Sequence, residues 1–146
     1  MQELASNILI DAPRERVWRI LLDFDRYPEW NPFVSRITGW PAVGEQLDIR
    51  LTPPGGMALS FKPEVVRVEP EREFRWLGKL LIKGMFDGEH IFELEEESPE
   101  TVRFVQREAF SGLLVPLLLL LARKSTLRGF EAMNQALKQR AESTTD

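Results

Sequence analysis

His90 is the one histidine of the chain, and hence the one side chain whose ordinary titration falls near neutral pH. It stands in a run where Phe86, His90, Phe92 and Leu94 share one parity, the pattern of a strand with one buried face. A second run follows Ser98-Pro99, with Val102, Phe104 and Phe110 in step, and two such runs about a turn read as a hairpin. A symmetric turn near Ser98 puts His90 opposite Gln106 and Gly88 opposite Glu108. The three polar residues His90, Gln106 and Glu108 then interrupt an inner wall made of Phe92, Leu94 and Phe104. Such a group can orient a ligand, exchange a proton with it, or simply satisfy itself inside a sheet.

Other reactive chemistry is sparse. The chain has no cysteine, which removes disulfides, thiolate nucleophiles and sulfur-ligated metals. No second histidine or tight carboxylate cluster accompanies His90, so the expectation is no metal and no cofactor. Ser111 lacks a histidine in a nucleophile motif, and Pro53-Pro54-Gly55-Gly56 lacks the lysine and helix of a phosphate loop. Asp23, Asp25, Glu29 and the run Glu95 to Glu97 read as helix-end or solvated charges. The net charge of −4 argues against nucleic acid as a partner.

These residues must be positioned by one domain. A chain of 146 residues, 43% hydrophobic and 29% charged, is an ordinary globular composition and buries roughly 70% of its unfolded surface. The first strand ends at Asp11-Ala12-Pro13, and Val17, Trp18, Leu21 and Leu22 follow at helical spacing. Tyr27-Pro28-Glu29-Trp30-Asn31-Pro32 forces a turn, because each proline disfavours helix in the residue before it. Alternating runs then continue through Thr38, around Ile49, and through Phe61, with a bulge or edge expected at Pro63 before Val66 and Val68, and a further strand at Phe74 and Trp76. The last element is a long helix whose stripe is Leu120, Leu127, Phe130, Met133 and Leu137.

The segments Asp11-Ala12-Pro13, Val17-Trp18, Asp23-Phe24, Tyr27 to Pro32, Gly44, Trp76 and Ser111-Gly112-Leu113-Leu114 together resemble the polyketide cyclase/dehydrase branch of the START-like, or SRPBCC, superfamily. The resemblance spans nearly the whole chain. It implies an α+β helix-grip fold: a seven-stranded curved antiparallel sheet around a long C-terminal helix, one or two short helices after the first strand, and a deep cavity beneath the long helix. The expected organisation is a single START-like ligand-binding domain over residues 1–142, with 143–146 a frayed tail.

The leading functional expectation is binding or transport of an apolar small molecule, lipid-like, polyketide-like or aromatic, in an internal cavity. The expected ligand contacts are the polar group His90, Gln106 and Glu108; the aromatic walls Phe61, Trp76, Phe86, Phe92, Phe104 and Phe110; Leu117 and Leu121 on the helix; and Trp30 at the rim. A polyketide cyclase or dehydratase using His90 as acid-base is the alternative, which leaves open whether the protein is an enzyme. A stress or toxin-related interaction domain is the third reading, favoured by an exposed apolar patch without a cavity. Ser111 to Leu121, interrupted by Gly112 and Pro116, is expected to be a movable entrance, an interface or plain core. No export signal is visible at the N-terminus and the run Leu113 to Ala122 is too short to span a bilayer, so a cytoplasmic location without stable membrane insertion is expected. The oligomeric state is left open, a homodimer included.

Overall fold

The structure, a computed structural model, describes residues 2–79 and 84–144. Strand β1 (Gln2–Ile10) leads into α1 (Arg14–Leu22), a 3-10 turn (Phe24–Arg26) and the single turn α2 (Tyr27–Trp30). Strands β2 (Val34–Thr38), β3 (Asp48–Leu51), β4 (Leu59–Phe61), β5 (Glu64–Glu69), β6 (Glu73–Lys79), β7 (Asp87–Ser98) and β8 (Thr101–Ser111) precede the 29-residue helix α3 (Val115–Ser143). The fold is α+β and helix-grip: antiparallel strands curve about the long C-terminal helix.

The strands form a five-stranded sheet in the order β1-β8-β7-β6-β5 and a three-stranded sheet in the order β2-β3-β4. Among the described residues eight strands stand where seven were expected, because Pro63 ends one strand instead of bulging a continuous one. Proline has no N–H for a ladder, but its carbonyl accepts a hydrogen bond from Leu47 N–H at 2.8 Å. The Gln46–Glu64 bridge beside it joins the two sheets.

The short helices are placed by their ends. The N–H groups of Phe33 and Val34 donate to Asn31 Oδ1 at 3.0 and 2.9 Å, so a buried asparagine launches β2. Tyr27 is buried and donates its hydroxyl to Leu21 O at 2.6 Å; burial pushes its pKa far up.

Helix α3 seats Val115, Leu119, Phe130, Met133, Leu137 and Ala141 in the core. Leu120, expected on that stripe, is instead 80% exposed: the buried seam passes through its neighbour Leu119. A Cβ on Gly129 would stand 2.4 Å from the Phe33 ring, so the glycine is what lets α3 approach β2. The helix runs through Ser143, and Thr144 Oγ1 donates to Arg140 O at 2.6 Å. Fraying was expected from residue 143; residues 145 and 146 lie outside the described residues.

Candidate functional site

The polar group sits on the concave side of β7 and β8. The register is His90 opposite Glu108, Phe92 opposite Gln106 and Gly88 opposite Phe110, two residues away from the pairing expected from a symmetric turn. The turn closes at Pro99 and Glu100, with Ser98 paired to Thr101 three positions from the symmetric expectation, and the register shift between Glu96 and Ser98 takes one of the three back. Side chains alternate with period two, so a slip of two preserves the face. His90, Gln106 and Glu108 do converge.

Their hydrogen bonds form a directed chain. Gln106 Nε2 donates to Phe130 O at 3.2 Å and to Asn134 Oδ1 at 2.7 Å. The Phe130 carbonyl can only accept, which fixes the amide orientation and leaves Gln106 Oε1 facing His90 Nε2 at 3.0 Å. His90 Nε2 is therefore the donor. Its other nitrogen, Nδ1, lies 3.4 Å from Glu108 Oε1. At the far end Asn134 Nδ2 donates to Ser6 Oγ at 3.0 Å. Asn134 and Ser6 were missed by the sequence reading, which placed Phe130 only on the apolar stripe of the helix. Asn134 falls three residues before Leu137 on the apolar seam of α3, and a lone amide on such a seam is the signal that points to it.

Around His90 the interior is filled. Its ring centroid is 4.9 Å from Trp76, 4.6 Å from Phe92 and 5.3 Å from Phe130, and His90 itself is 1% exposed. Phe92 stacks on Phe104 at 5.8 Å. The expected walls Trp76, Phe92 and Phe104 are thus in contact with one another at this level, where a deep cavity was expected.

Glu108 lies on the side of His90 nearer the start of α3 and has a different environment. Its Oε2 is buried and has no hydrogen-bond partner among the described residues. The carboxyl group lies over Gly88, where an added Cβ would sit 3.4 Å from its carbon. Gly78 pairs with Gly88, and Phe61 lies so close over Gly78 that an added Cβ would meet its ring at 2.9 Å. Phe86 and Phe110 stack at 5.4 Å beside them. The two paired glycines thus leave space above the sheet that the Phe61 ring and the Glu108 carboxyl group fill.

Three expected contacts stand apart. Leu117 and Leu121 are 58% and 76% exposed, on the side of α3 away from Val115 and Leu119. Trp30 packs on Tyr27 at 5.0 Å and borders a surface cleft of about 290 Å³ with Glu29, Gln139 and Arg140, at the C-terminal end of α3. A second cleft of about 250 Å³ is bordered by Gln46, Lys62, Glu64, Leu77 and Lys79. Neither cleft is lined by His90 or Glu108.

The expected entrance begins with a constrained junction. Gly112 has φ +126°, and a Cβ there would stand 2.5 Å from Met85 O, so only glycine fits. Leu114 N–H donates to that carbonyl at 2.8 Å. Pro116 falls in the first helical turn, where its missing N–H costs nothing. Among the described residues no group of three or more His, Asp or Glu could hold a metal ion, and no helix is long and apolar enough to cross a membrane.

Comparison with protein families matches residues 1–142 to the family described as polyketide cyclase / dehydrase and lipid transport. No curated protein matches. Among solved structures, the Zhui aromatase/cyclase from Streptomyces sp. R1128 is similar at TM-score 0.78 and 13% identity, over 97% of this chain and 93% of that one. TTHA0849 from Thermus thermophilus is similar at 0.76 and 19%, over 99% and 100%. The di-domain aromatase/cyclase StfQ of the steffimycin biosynthetic pathway gives 0.74 and 16%, over 96% of this chain but only 50% of its own length. At these identities the structures share the fold.

Proposed function

Because the chain belongs to the polyketide cyclase/dehydrase and lipid-transport family, we propose that it binds or carries an apolar small molecule bearing one hydrogen-bond donor, held between the start of α3 and the concave face of the five-stranded sheet. The observation that carries this reading is the Glu108 carboxyl group. A buried oxygen without a partner is costly, and Oε2 is in that state beside stacked phenylalanines. A ligand hydroxyl would satisfy it, while the ligand's apolar body would lie against the neighbouring phenylalanines. His90, walled in by rings, acts from behind by holding Oε1.

The test is native mass spectrometry of freshly purified protein, followed by extraction and identification of any bound molecule. Retention of an apolar molecule with a hydroxyl or similar donor, lost in Glu108→Leu, is the expected result. A protein that arrives empty and takes up neither fatty acids nor polycyclic phenols sinks the proposal.

The His90–Glu108 approach at 3.4 Å favours one second reading, a cyclase or dehydratase in which this pair passes a proton to bound substrate. Turnover that disappears in His90→Phe while ligand retention persists separates that enzyme from a carrier.

A further inference from the structure

The outer face of α3 carries an apolar stripe that the fold does not cover. Leu117, Leu120 and Leu121 are 58%, 80% and 76% exposed, and Leu113, just before the helix, is 80% exposed. Their spacing puts them on one side, opposite buried Val115 and Leu119. Soluble surfaces seldom expose contiguous leucines without a use for them.

The same face continues into cations. Arg123, Lys124 and Arg128 are exposed and lie one to three turns beyond the leucines, and residues 113–130 contain no acidic residue. Among the described residues none of the three has an ion-pair or hydrogen-bond partner. Elsewhere the arginines are typically paired: Arg75 with Glu73 and Glu89, Arg107 with Glu93 and Glu3, Arg140 with Glu29. On a protein of net charge −4, an unpaired basic cluster beside exposed leucines is a local exception.

We propose that this face docks peripherally on an anionic lipid surface, the leucines entering the headgroup–acyl boundary and the three cations meeting lipid phosphates. The charge pattern selects this occupant. A helix lying in a membrane interface needs an apolar face and flanking Lys or Arg, and both are present. A second copy of the chain would bury the leucines but bring the same cations together without an acid to meet them. Four leucines are also far short of the roughly 20–30 residues a side of a standard protein interface. The proposal concerns an outer surface and does not depend on what the interior holds.

Flotation of the full chain with vesicles tests it. Vesicles of equal parts phosphatidylcholine and phosphatidylglycerol should carry the protein up the gradient, vesicles of phosphatidylcholine alone should carry much less, and added salt should release it. Leu117→Asp with Leu121→Asp should abolish flotation, and each of Arg123→Gln, Lys124→Gln and Arg128→Gln should weaken it by about fivefold. These side chains are exposed, so circular dichroism should find the variants folded. Failure to float with anionic vesicles, or flotation that survives the aspartate pair, overturns the proposal. So does a concentration-dependent dimer that the same pair abolishes, which would assign the face to a second copy.

Discussion

At the residue scale the interior chain separates groups held for stability from a group held for something else. Gln106 is buried, donates twice and accepts once, so Gln106→Leu orphans His90 Nε2 and Asn134 Oδ1. Each orphan costs about 1–3 kcal/mol, and urea denaturation should register the loss. Glu108→Leu should cost less in the empty protein, since it removes a carboxyl oxygen that already lacks a partner and leaves only His90 Nδ1 without its neighbour. Equal losses in both variants would make Glu108 a structural member of the chain and remove the reason to place a ligand there. Which residues share the inner face was legible in the sequence because parity depends only on counting by two. The register was not, because the irregularity at Glu96 to Ser98 carries no residue signature distinct from an ordinary turn.

At the element scale the long helix is fixed at two close approaches, Gly112 against Met85 and Gly129 against Phe33. Gly129→Ala tests the second. Alanine would favour the helix by about 1 kcal/mol, but its methyl would overlap the Phe33 ring, and overpacking costs about 1–3 kcal/mol. Net destabilisation in urea is expected; a stabilised variant would mean that Phe33 moves freely and that the helix is not seated there. The first turns of α3 are different, with three of their leucines exposed. Hydrogen exchange should be faster over 115–121 than over 130–141 in the empty protein, and slow selectively when an apolar ligand binds. Uniformly slow exchange would identify a static helix and exclude this segment as an entrance. The helix itself was legible from its periodicity. Its seam was displaced by one residue, because a run of five leucines offers every face an apolar candidate and only tertiary packing chooses Leu119 over Leu120.

At the scale of the whole molecule, the order of elements followed from alternation and proline positions, and the grip of sheet on helix from the family resemblance that segments such as Tyr27 to Pro32 carry. The ion pairs that tie distant parts together did not, since pairing partners such as Glu29 and Arg140 are 111 residues apart and solvated charges look alike in sequence. Those ties give the molecule a predictable response to acid. A hydrogen bond from Arg140, aided by the charge of Arg26, holds the Glu29 carboxyl below its ordinary value. Glu142 is held down by its hydrogen bond with Lys138 and by Asp11 N–H, which donates at 2.8 Å. For Glu73 burial acts upward, but Arg75 and Arg67 outweigh it and the net direction is again down. A carboxyl depressed in the folded state contributes stability that is complete above its unfolded pKa of about 4.3 and is lost as pH falls through the folded value. The melting temperature should therefore be level from neutrality to about pH 5 and fall below it. Glu29 and Glu142 both anchor the C-terminal half of α3, so Glu29→Gln with Glu142→Gln should melt lower at neutral pH and lose less on acidification. Thermal melts of both proteins across this range decide the point: if their curves stay parallel into acid, these two carboxyls are not what the acid transition titrates.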